Sequence, residues 1–308
     1  MWAICKKEWA QYFNGLTGYL VIGFYLIVNG LVLFVLPHFN VLDAGYASLQ
    51  VYFDFAPWFL LLLVPAITMR SFADEFKQGT YEVLSSLPIT PLQLIIGKFF
   101  GAFLIMLIAI MPTFFYAIAL NLLSSTGGID WGATIGSYIG LFFLAGVYTA
   151  IGIFSSSLSK NSLVSLLLSI IISLLLLKSF DWVSTFSFFT NGYDYYISQL
   201  GLATHFKNMS KGVLNVKDVF YFISIIVLFF IGCIENLRGT FKNIVVLLCL
   251  ILINYIGVLF PIQYDLTKEH RYTLSDSSKA IISQVEAPVK IHLYLGGELP
   301  VQYKKLAN

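Results

Sequence analysis

The sequence predicts an all-α protein that crosses a membrane several times. Of its 308 residues, 58% are hydrophobic and only 11% are charged, whereas a soluble domain is typically about 25% charged. The mean hydropathy is +0.83. Seven separate apolar runs approach the roughly 20 residues that a helix needs to cross about 30 Å of hydrocarbon. This composition excludes a disordered chain, a collagen-like chain and a disulfide-stapled secreted domain.

The first segment, residues 1–16, predicts an amphipathic helix rather than a membrane span. Its apolar stripe recurs at helical spacing, while lysine, glutamine and asparagine side chains lie off that stripe. The stripe consists of Trp2, Cys5, Trp9, Phe13 and Leu16. The two tryptophans favour a helix lying in the membrane interface, with its rings at headgroup depth, over the alternative of a frayed polar terminus. Charged residues precede the first long apolar run, so no cleavable signal peptide is predicted.

Seven transmembrane helices are predicted from the apolar runs that follow. They are Thr17–Leu36, Tyr52–Met69, Gly97–Leu120, Thr134–Ser157, Asn161–Leu177, Val219–Ile234 and Ile244–Ile262. The second carries Asp54 near its outer end, where a charge can reach the lipid headgroups. No acidic, basic or histidine side chain is predicted at the middle of a span, which argues against an ion-coupled carrier.

The distribution of lysine and arginine predicts the orientation of these helices. The loops after the first and third spans carry neither residue. The opposite side holds Lys6, Lys7, Arg70, Lys77, Lys98, Lys160, Arg238 and Lys242. We therefore expect a multi-pass protein of the cell inner membrane, with a cytoplasmic N-terminus and an outer C-terminal tail. Against the rule, a long connection on the outer side is bordered by Lys178, Lys207, Lys211 and Lys217.

Motifs for catalysis are missing from the sequence. The Gly97–Lys98 pair lacks the preceding glycine of a phosphate-binding loop, and the scattered histidines and cysteines form no metal or redox pattern. The near-balance of 18 basic and 16 acidic residues gives no reason to expect nucleic acid. We predict no enzyme activity, no cofactor and no metal site. The cysteines are expected to be small buried residues, and the Gly97/Gly101 and Gly136/Gly140 pairs are expected to let helices pack closely.

The cytoplasmic loop between the second and third spans carries the most informative pattern. Gly79 and Thr80 begin a short predicted helix with Glu82 in its first turn, where the positive end of the helix dipole favours an acid. Pro88 and Pro91 end that helix. An apolar stripe is formed by Tyr81, Leu84 and Leu87. Two interpretations fit: a rigid helix that docks on a cytoplasmic partner, or an amphipathic connector buried against the protein's own helices.

This loop resembles a known family. Residues Phe72–Thr90, followed by Gly97–Lys98, resemble the loop of ABC-2 type exporter permeases, in particular the gliding-motility-associated permease, the F subunit of that ABC system. Residues 145–161 resemble the family's fourth span and the turn after it, and residues 205–222 resemble the approach to the sixth. The aromatic stretch Phe180–Leu202 resembles a short outer re-entrant hairpin of such exporters.

In that family, the loop contains a coupling helix that sits in a cleft of a separate ATPase. The resemblance therefore implies an ABC ATPase subunit as partner, together with a second permease copy or a paralogous permease, and the lipid bilayer. The ATPase-coupling residues that it implies are Glu75, Gly79, Thr80, Glu82, Leu84 and Pro88.

The tail resembles the start of a second protein. Residues 264–275 are similar to the companion auxiliary G subunit, which has one membrane anchor followed by an outer domain. Ser275 is a predicted N-cap for a helix reaching about Val285, and Val289–Leu295 alternates like a strand. One helix and one strand cannot bury a core, so the tail predicts an incomplete domain. A natural fusion, a reading-frame accident and a truncated fragment all fit this pattern.

The expected organisation is an interfacial helix (1–16), an ABC-2 type six-span permease domain (17–235), a seventh transmembrane anchor (243–262) and an incomplete outer α/β auxiliary domain (263–308). The function implied is the permease subunit of an ABC exporter, driven through the coupling helix and linked to gliding motility or surface export. The alternative is a non-transporting membrane anchor or scaffold for surface or motility machinery. A channel is less favoured, because no filter motif is present.

Overall fold

A computed structural model describes residues 1–43, 45–124, 127–186, 193–239, 254, 257 and 262–284. The described chain is mainly helical. Its helices are α1 (Trp2–Phe13), α2 (Thr17–Phe34), α3 (Gln50–Thr68), α4 (Ala73–Gln78), α5 (Thr80–Ser86), α6 (Pro91–Ile110), α7 (Phe114–Leu123), α8 (Trp131–Leu158), α9 (Ser162–Leu174), α10 (Phe180–Ser184), α11 (Tyr193–Ser198), α12 (Leu202–Ser210), α13 (Val216–Arg238) and α14 (Asp276–Ser283). Two short strands are β1 (Val213–Asn215) and β2 (Gln263–Asp265).

Six helical segments within the described residues are long and apolar enough to cross a membrane. They are Thr17–Phe34, Gln50–Gln78, Pro91–Leu123, Trp131–Leu158, Ser162–Ser184 and Val216–Arg238. The predicted all-α polytopic fold is confirmed, and each of the first six predicted spans falls on one of these segments. The predicted seventh span lies almost wholly outside the described residues, as does the predicted strand Val289–Leu295.

The third span begins at Pro91 rather than at Gly97, where the apolar run predicted it. The Thr90 hydroxyl accepts a hydrogen bond from Gln93 N, and the Gln93 side chain accepts one from Thr90 N, which forms a complete capping box. Proline suits the first helical position because the nitrogen there has no helical partner. The early start places Lys98 about two turns inside the helix rather than at its end.

Helix α8 lies at the centre of the bundle and packs against α3, α6, α9, α12 and α13. Its glycines allow α12 to approach closely, as the sequence predicts. A Cβ atom added at Gly136 would collide with the Met209 carbonyl oxygen, and one at Gly140 would lie 3.0 Å from the ring of Phe206. Backbone-to-backbone packing therefore fixes α12 on the first half of α8.

A two-stranded antiparallel sheet ties the start of the tail to the end of the bundle where α8 begins. Strand β1 pairs with β2, with Leu214 opposite Tyr264. Beside the sheet, Leu266 N donates to Gly212 O at 2.9 Å. This pairing is not predicted, because three-residue strands are too short to show alternation. Further along the tail, the Ser275 hydroxyl caps α14 by accepting from Ser278 N at 3.2 Å, as the sequence predicts.

Candidate functional site at the α4–α5 loop

The loop between the second and third spans folds as two short helices joined by one glycine. Gly79 has φ +70° and is both the C-cap of α4 and the N-cap of α5. This left-handed conformation costs other L-residues roughly 1–2 kcal/mol, so the turn favours glycine. The start of α5 at Thr80 and its end before Pro88 match the sequence prediction.

Helix α5 is attached along one side and exposed along the other. Tyr81 packs on the rings of Phe72 and Phe76, with 4.9 Å between the centroids of Tyr81 and Phe76. Burial raises the pKa of the Tyr81 hydroxyl above its usual value. None of the described residues of α5 is fully buried, and Val83 leaves 66% of its surface exposed, with Leu87 also exposed. The helix therefore presents an apolar and acidic face outward.

A buried ion network lies directly beneath this loop. Lys98 Nζ on α6 contacts Glu8 Oε1 on α1 at 2.9 Å and Glu75 Oε1 on α4 at 2.8 Å. The same ammonium donates to Ser71 O at 2.6 Å. The Lys98 side chain is only 1% exposed. Three segments far apart in the sequence therefore meet at one lysine.

The charges of this network are balanced by one further lysine. Lys7 Nζ lies 3.2 Å from Glu75 Oε1, and its side chain is 57% exposed. Two carboxylates, from Glu8 and Glu75, are thus matched by one buried and one exposed ammonium. Glu75 Oε2 has no hydrogen-bond partner among the described residues. Removing one member of such a buried group is far more costly than removing an exposed one.

Helix α1 can approach α6 closely enough to join the ion network because α6 has two glycines at the contact. A Cβ at Gly97 would lie 2.9 Å from Ile4 Cβ, and one at Gly101 would lie 2.7 Å from Glu8 Cβ. The predicted close packing at this glycine pair is therefore confirmed, with α1 as the partner. The face of α1 that packs on the protein differs from the predicted apolar stripe. Of that stripe Cys5 is buried, whereas Trp2 and Leu16 are exposed.

A tyrosine near the C-terminal end of α1 makes a hydrogen bond to the second span. The Tyr12 hydroxyl donates to the Ile67 carbonyl oxygen. Burial, reinforced by the nearby Glu8 carboxylate, raises the pKa of Tyr12, so its hydroxyl stays protonated and able to donate. Helix α1 is therefore joined to both α3 and α6.

Two serines fasten the loop to the central helices. Ser156 Oγ on α8 accepts from Phe72 N at 2.9 Å and from Ala73 N at 3.1 Å, and it donates to Met69 O at 3.0 Å. The Ser162 hydroxyl at the start of α9 donates to Asp74 Oδ1 at 2.7 Å. The two bonds that Ser156 accepts satisfy the N–H groups of Phe72 and Ala73 at the start of α4, which have no partner within a helix.

The six residues that the family resemblance implies fall into two groups. Glu75 is buried and faces the ion network rather than a surface. Gly79, Thr80, Glu82 and Pro88 are exposed, and Leu84 is half-buried. Sequence reasoning missed Glu8, Lys98 and Ser156. Lys98 carried a usable signal, because a lysine inside an apolar helix requires a partner.

Two family models together match nearly all of the described chain. A family described as "ABC-2 family transporter protein" matches residues 2–260, which include α1, the α4–α5 loop and α13. A second family, described as a domain of unknown function, matches residues 268–308. None of the curated proteins compared matches the sequence. The first match spans the whole helical bundle, and the second begins just after β2.

Proposed function

Because the chain belongs to the ABC-2 family of transporters, we propose that α5 is the element through which a separate ATPase drives it. Family membership makes the chain the transmembrane permease component of an ABC exporter, with an ABC ATPase as its partner. The sequence contains no phosphate-binding loop. In this proposal, the energy of ATP enters the permease through its contact with that ATPase.

The observation that carries the proposal is the exposed face of α5. Val83 and Leu87 are both exposed and lie one turn apart, with the Glu82 carboxylate beside them. Exposed apolar side chains that are grouped and bordered by polar residues are typical of a surface that a partner covers. The alternative from the sequence was an amphipathic connector buried against the protein's own helices. Tyr81 and Leu84 of the predicted stripe do turn inward, as that alternative expects. Val83 and Leu87, one turn apart, stay exposed on the other side of the segment, and this second apolar surface favours docking.

The contacts behind α5 offer a route for force into the membrane. A push on α5 is passed through the Gly79 turn to α4, because the turn contains no other residue. From α4, the Glu75–Lys98 contact leads to α6 and α1, and the Ser156 bonds lead to α8. In this proposal Glu75 positions the coupling helix and does not itself touch the ATPase.

We also propose that the tail begins a companion auxiliary subunit and that the system serves gliding motility or surface export. Two observations support the first part. The second family match starts at residue 268, shortly after the permease match ends. The tail is also fixed to the bundle through β1 and β2, as expected of a subunit that works beside the permease. A second permease copy completes the proposed assembly.

The test is to purify the full chain with its cognate ATPase from native membranes. Glu82→Arg reverses a charge on the proposed docking face, and we expect about tenfold or more loss of ATPase binding, because mismatched charge at an interface costs several kcal/mol. Glu269→Arg makes the same change at an exposed position at the opposite end of the bundle and serves as control. Unchanged assembly and ATP turnover in Glu82→Arg would show that α5 is not the coupling element.

A different experiment distinguishes the exporter subunit from the rival function, a non-transporting membrane anchor. An ATPase variant that assembles but cannot hydrolyse ATP is expected to abolish the function if the chain is an exporter subunit. Full function with that variant would favour the anchor.

A further inference from the structure

A polar cleft of about 350 Å³ opens at the end of the bundle opposite α5. Its walls are the start of α3, the first turns of α8, the end of α12 and the turn after β2. Three basic and two acidic side chains line it: Lys207, Lys211, Arg271, Asp54 and Asp130. This volume suits a small polar molecule or the headgroup of a lipid.

The charges of the cleft are not all satisfied within the protein. Asp130 accepts a hydrogen bond from the first turn of α8 and pairs with Arg271 at 3.7 Å. Within the described part of the chain, Lys207, Lys211 and Asp54 have no hydrogen bond or ion pair. Arg271 also pairs with Glu269 at 3.1 Å, and that carboxylate lies outside the lining. Among the side chains that line the cleft, two ammonium groups, those of Lys207 and Lys211, therefore remain beside the single Asp54 carboxylate, an excess of one positive charge.

Helix ends add to this positive potential. The long helices α3 and α8 both begin at the cleft, and the N-terminal end of a helix carries a partial positive charge. The Asp130 carboxylate offsets part of that charge at α8. A negatively charged group is thus the favoured occupant, and a cation is not.

The two lysines stand on a rigid base. Gly212 follows Lys211 directly with φ +83°, and a Cβ there would lie 2.9 Å from Ala133 N on α8. On the neighbouring turn, Gly136 allows α8 to touch the Met209 carbonyl. This close packing of α12 on α8 fixes the backbone positions of Lys207 and Lys211, one helical turn apart on the wall of the cleft.

We propose that this cleft binds a phosphate-bearing group, with Lys207 and Lys211 as its contacts. Lysine binds phosphate as a point charge, and Lys207 and Lys211 place two such charges one turn apart on the same wall of the cleft. The group can come from the headgroup of a phospholipid at that membrane face or from a soluble phosphate. The proposal gives a role to two of the lysines that break the charge rule for membrane loops.

The experiment uses the full chain and two probes. Phosphatidylglycerol retained through purification is measured by native mass spectrometry, and inorganic phosphate is titrated in detergent. Lys207→Gln combined with Lys211→Gln is expected to weaken binding about 25-fold, from a factor of about five for each lysine near a phosphate. The matched control combines Lys268→Gln with Lys279→Gln, exposed lysines at the same end that do not line the cleft.

Each outcome decides the proposal. Loss of both probes in the cleft variant, but not in the control, supports a site for the phosphate itself. Loss of lipid alone, where the native protein takes up no inorganic phosphate, supports a headgroup site. Lys207→Arg with Lys211→Arg should restore binding, which separates lost charge from lost folding. Equal binding of both probes by the native protein and the glutamine variant would overturn the proposal.

Discussion

Replacing Lys98 with methionine removes the cation that two buried carboxylates share. Methionine keeps the length and apolar character of the lysine stem, so the change is mainly one of charge. Glu8 and Glu75 would then face each other without the ammonium that contacts them at 2.9 and 2.8 Å. Lys7 remains near Glu75, but its side chain is 57% exposed and cannot take the buried place.

The size of the effect follows from burial. Breaking a buried ion pair by removing one partner costs about 3–5 kcal/mol, because the other charge stays buried without compensation. At roughly 2–4 °C for each kcal/mol, the melting temperature should fall by roughly 6–20 °C. Lys7→Met is the matched control, since an exposed ion pair contributes only about 0–1 kcal/mol.

Thermal unfolding of the purified proteins in one detergent, at one scan rate, measures both variants. A third variant sharpens the test by combining Lys98→Met with Glu8→Met and Glu75→Met. Replacing a whole buried ion group by apolar side chains of similar volume is often neutral or stabilising, so this variant should regain most of the lost stability. The reasoning is refuted if Lys98→Met is no less stable than Lys7→Met, or if the triple variant is less stable than Lys98→Met alone.

Three further predictions concern backbone geometry, a serine and pH. Gly101→Val should lower the melting temperature by separating α1 from α6, since its Cβ would meet Glu8 at 2.7 Å, whereas Gly23→Ala, with no atom within 4 Å, should not. Ser156→Ala leaves the N–H groups of Phe72 and Ala73, at the start of α4, without their acceptor and should cost about 1–3 kcal/mol, seen as faster hydrogen exchange in the loop; unchanged exchange would contradict this. Hydrogen bonds from Thr267, Tyr272 and Thr273 hold the pKa of Asp265 well below its usual range. A carboxylate whose pKa is lowered on folding stabilises the fold at every pH above its unfolded pKa of about 3.9, and this stabilisation is lost only in stronger acid. Protease resistance of the tail turn should therefore persist down to about pH 4 in the native protein. It should be lower in Asp265→Asn at neutral pH.

The membrane helices and the α5 helix could be predicted because their signals are local. Each span is a run of apolar residues. Helix α5 begins after Gly79 because glycine accommodates the turn, and it ends before Pro88 because proline cannot continue a helix. The N-cap at Ser275 is local in the same way. The start of α6 was placed too late, because the capping box at Thr90 precedes the apolar run.

The ion network could not be predicted, because its members are distant in the sequence. Lys98 is 90 residues from Glu8 and 23 from Glu75, and composition does not say which acid a buried lysine meets. The β1–β2 pairing could not be predicted either, because three-residue strands are too short to show an alternating pattern. The docking of α5 on an ATPase stays a prediction, since exposure indicates a partner without identifying it.

The most direct measurement of the central claim is site-specific photo-crosslinking on α5. A photoreactive residue at Val83 is compared with one at Ile281 on α14, which is equally exposed at 66% but lies at the opposite end of the bundle. Our account predicts that irradiation of native membranes joins the Val83 variant, and not the Ile281 variant, to a polypeptide that carries a phosphate-binding loop. No adduct at Val83, or the same adduct at both positions, would contradict it.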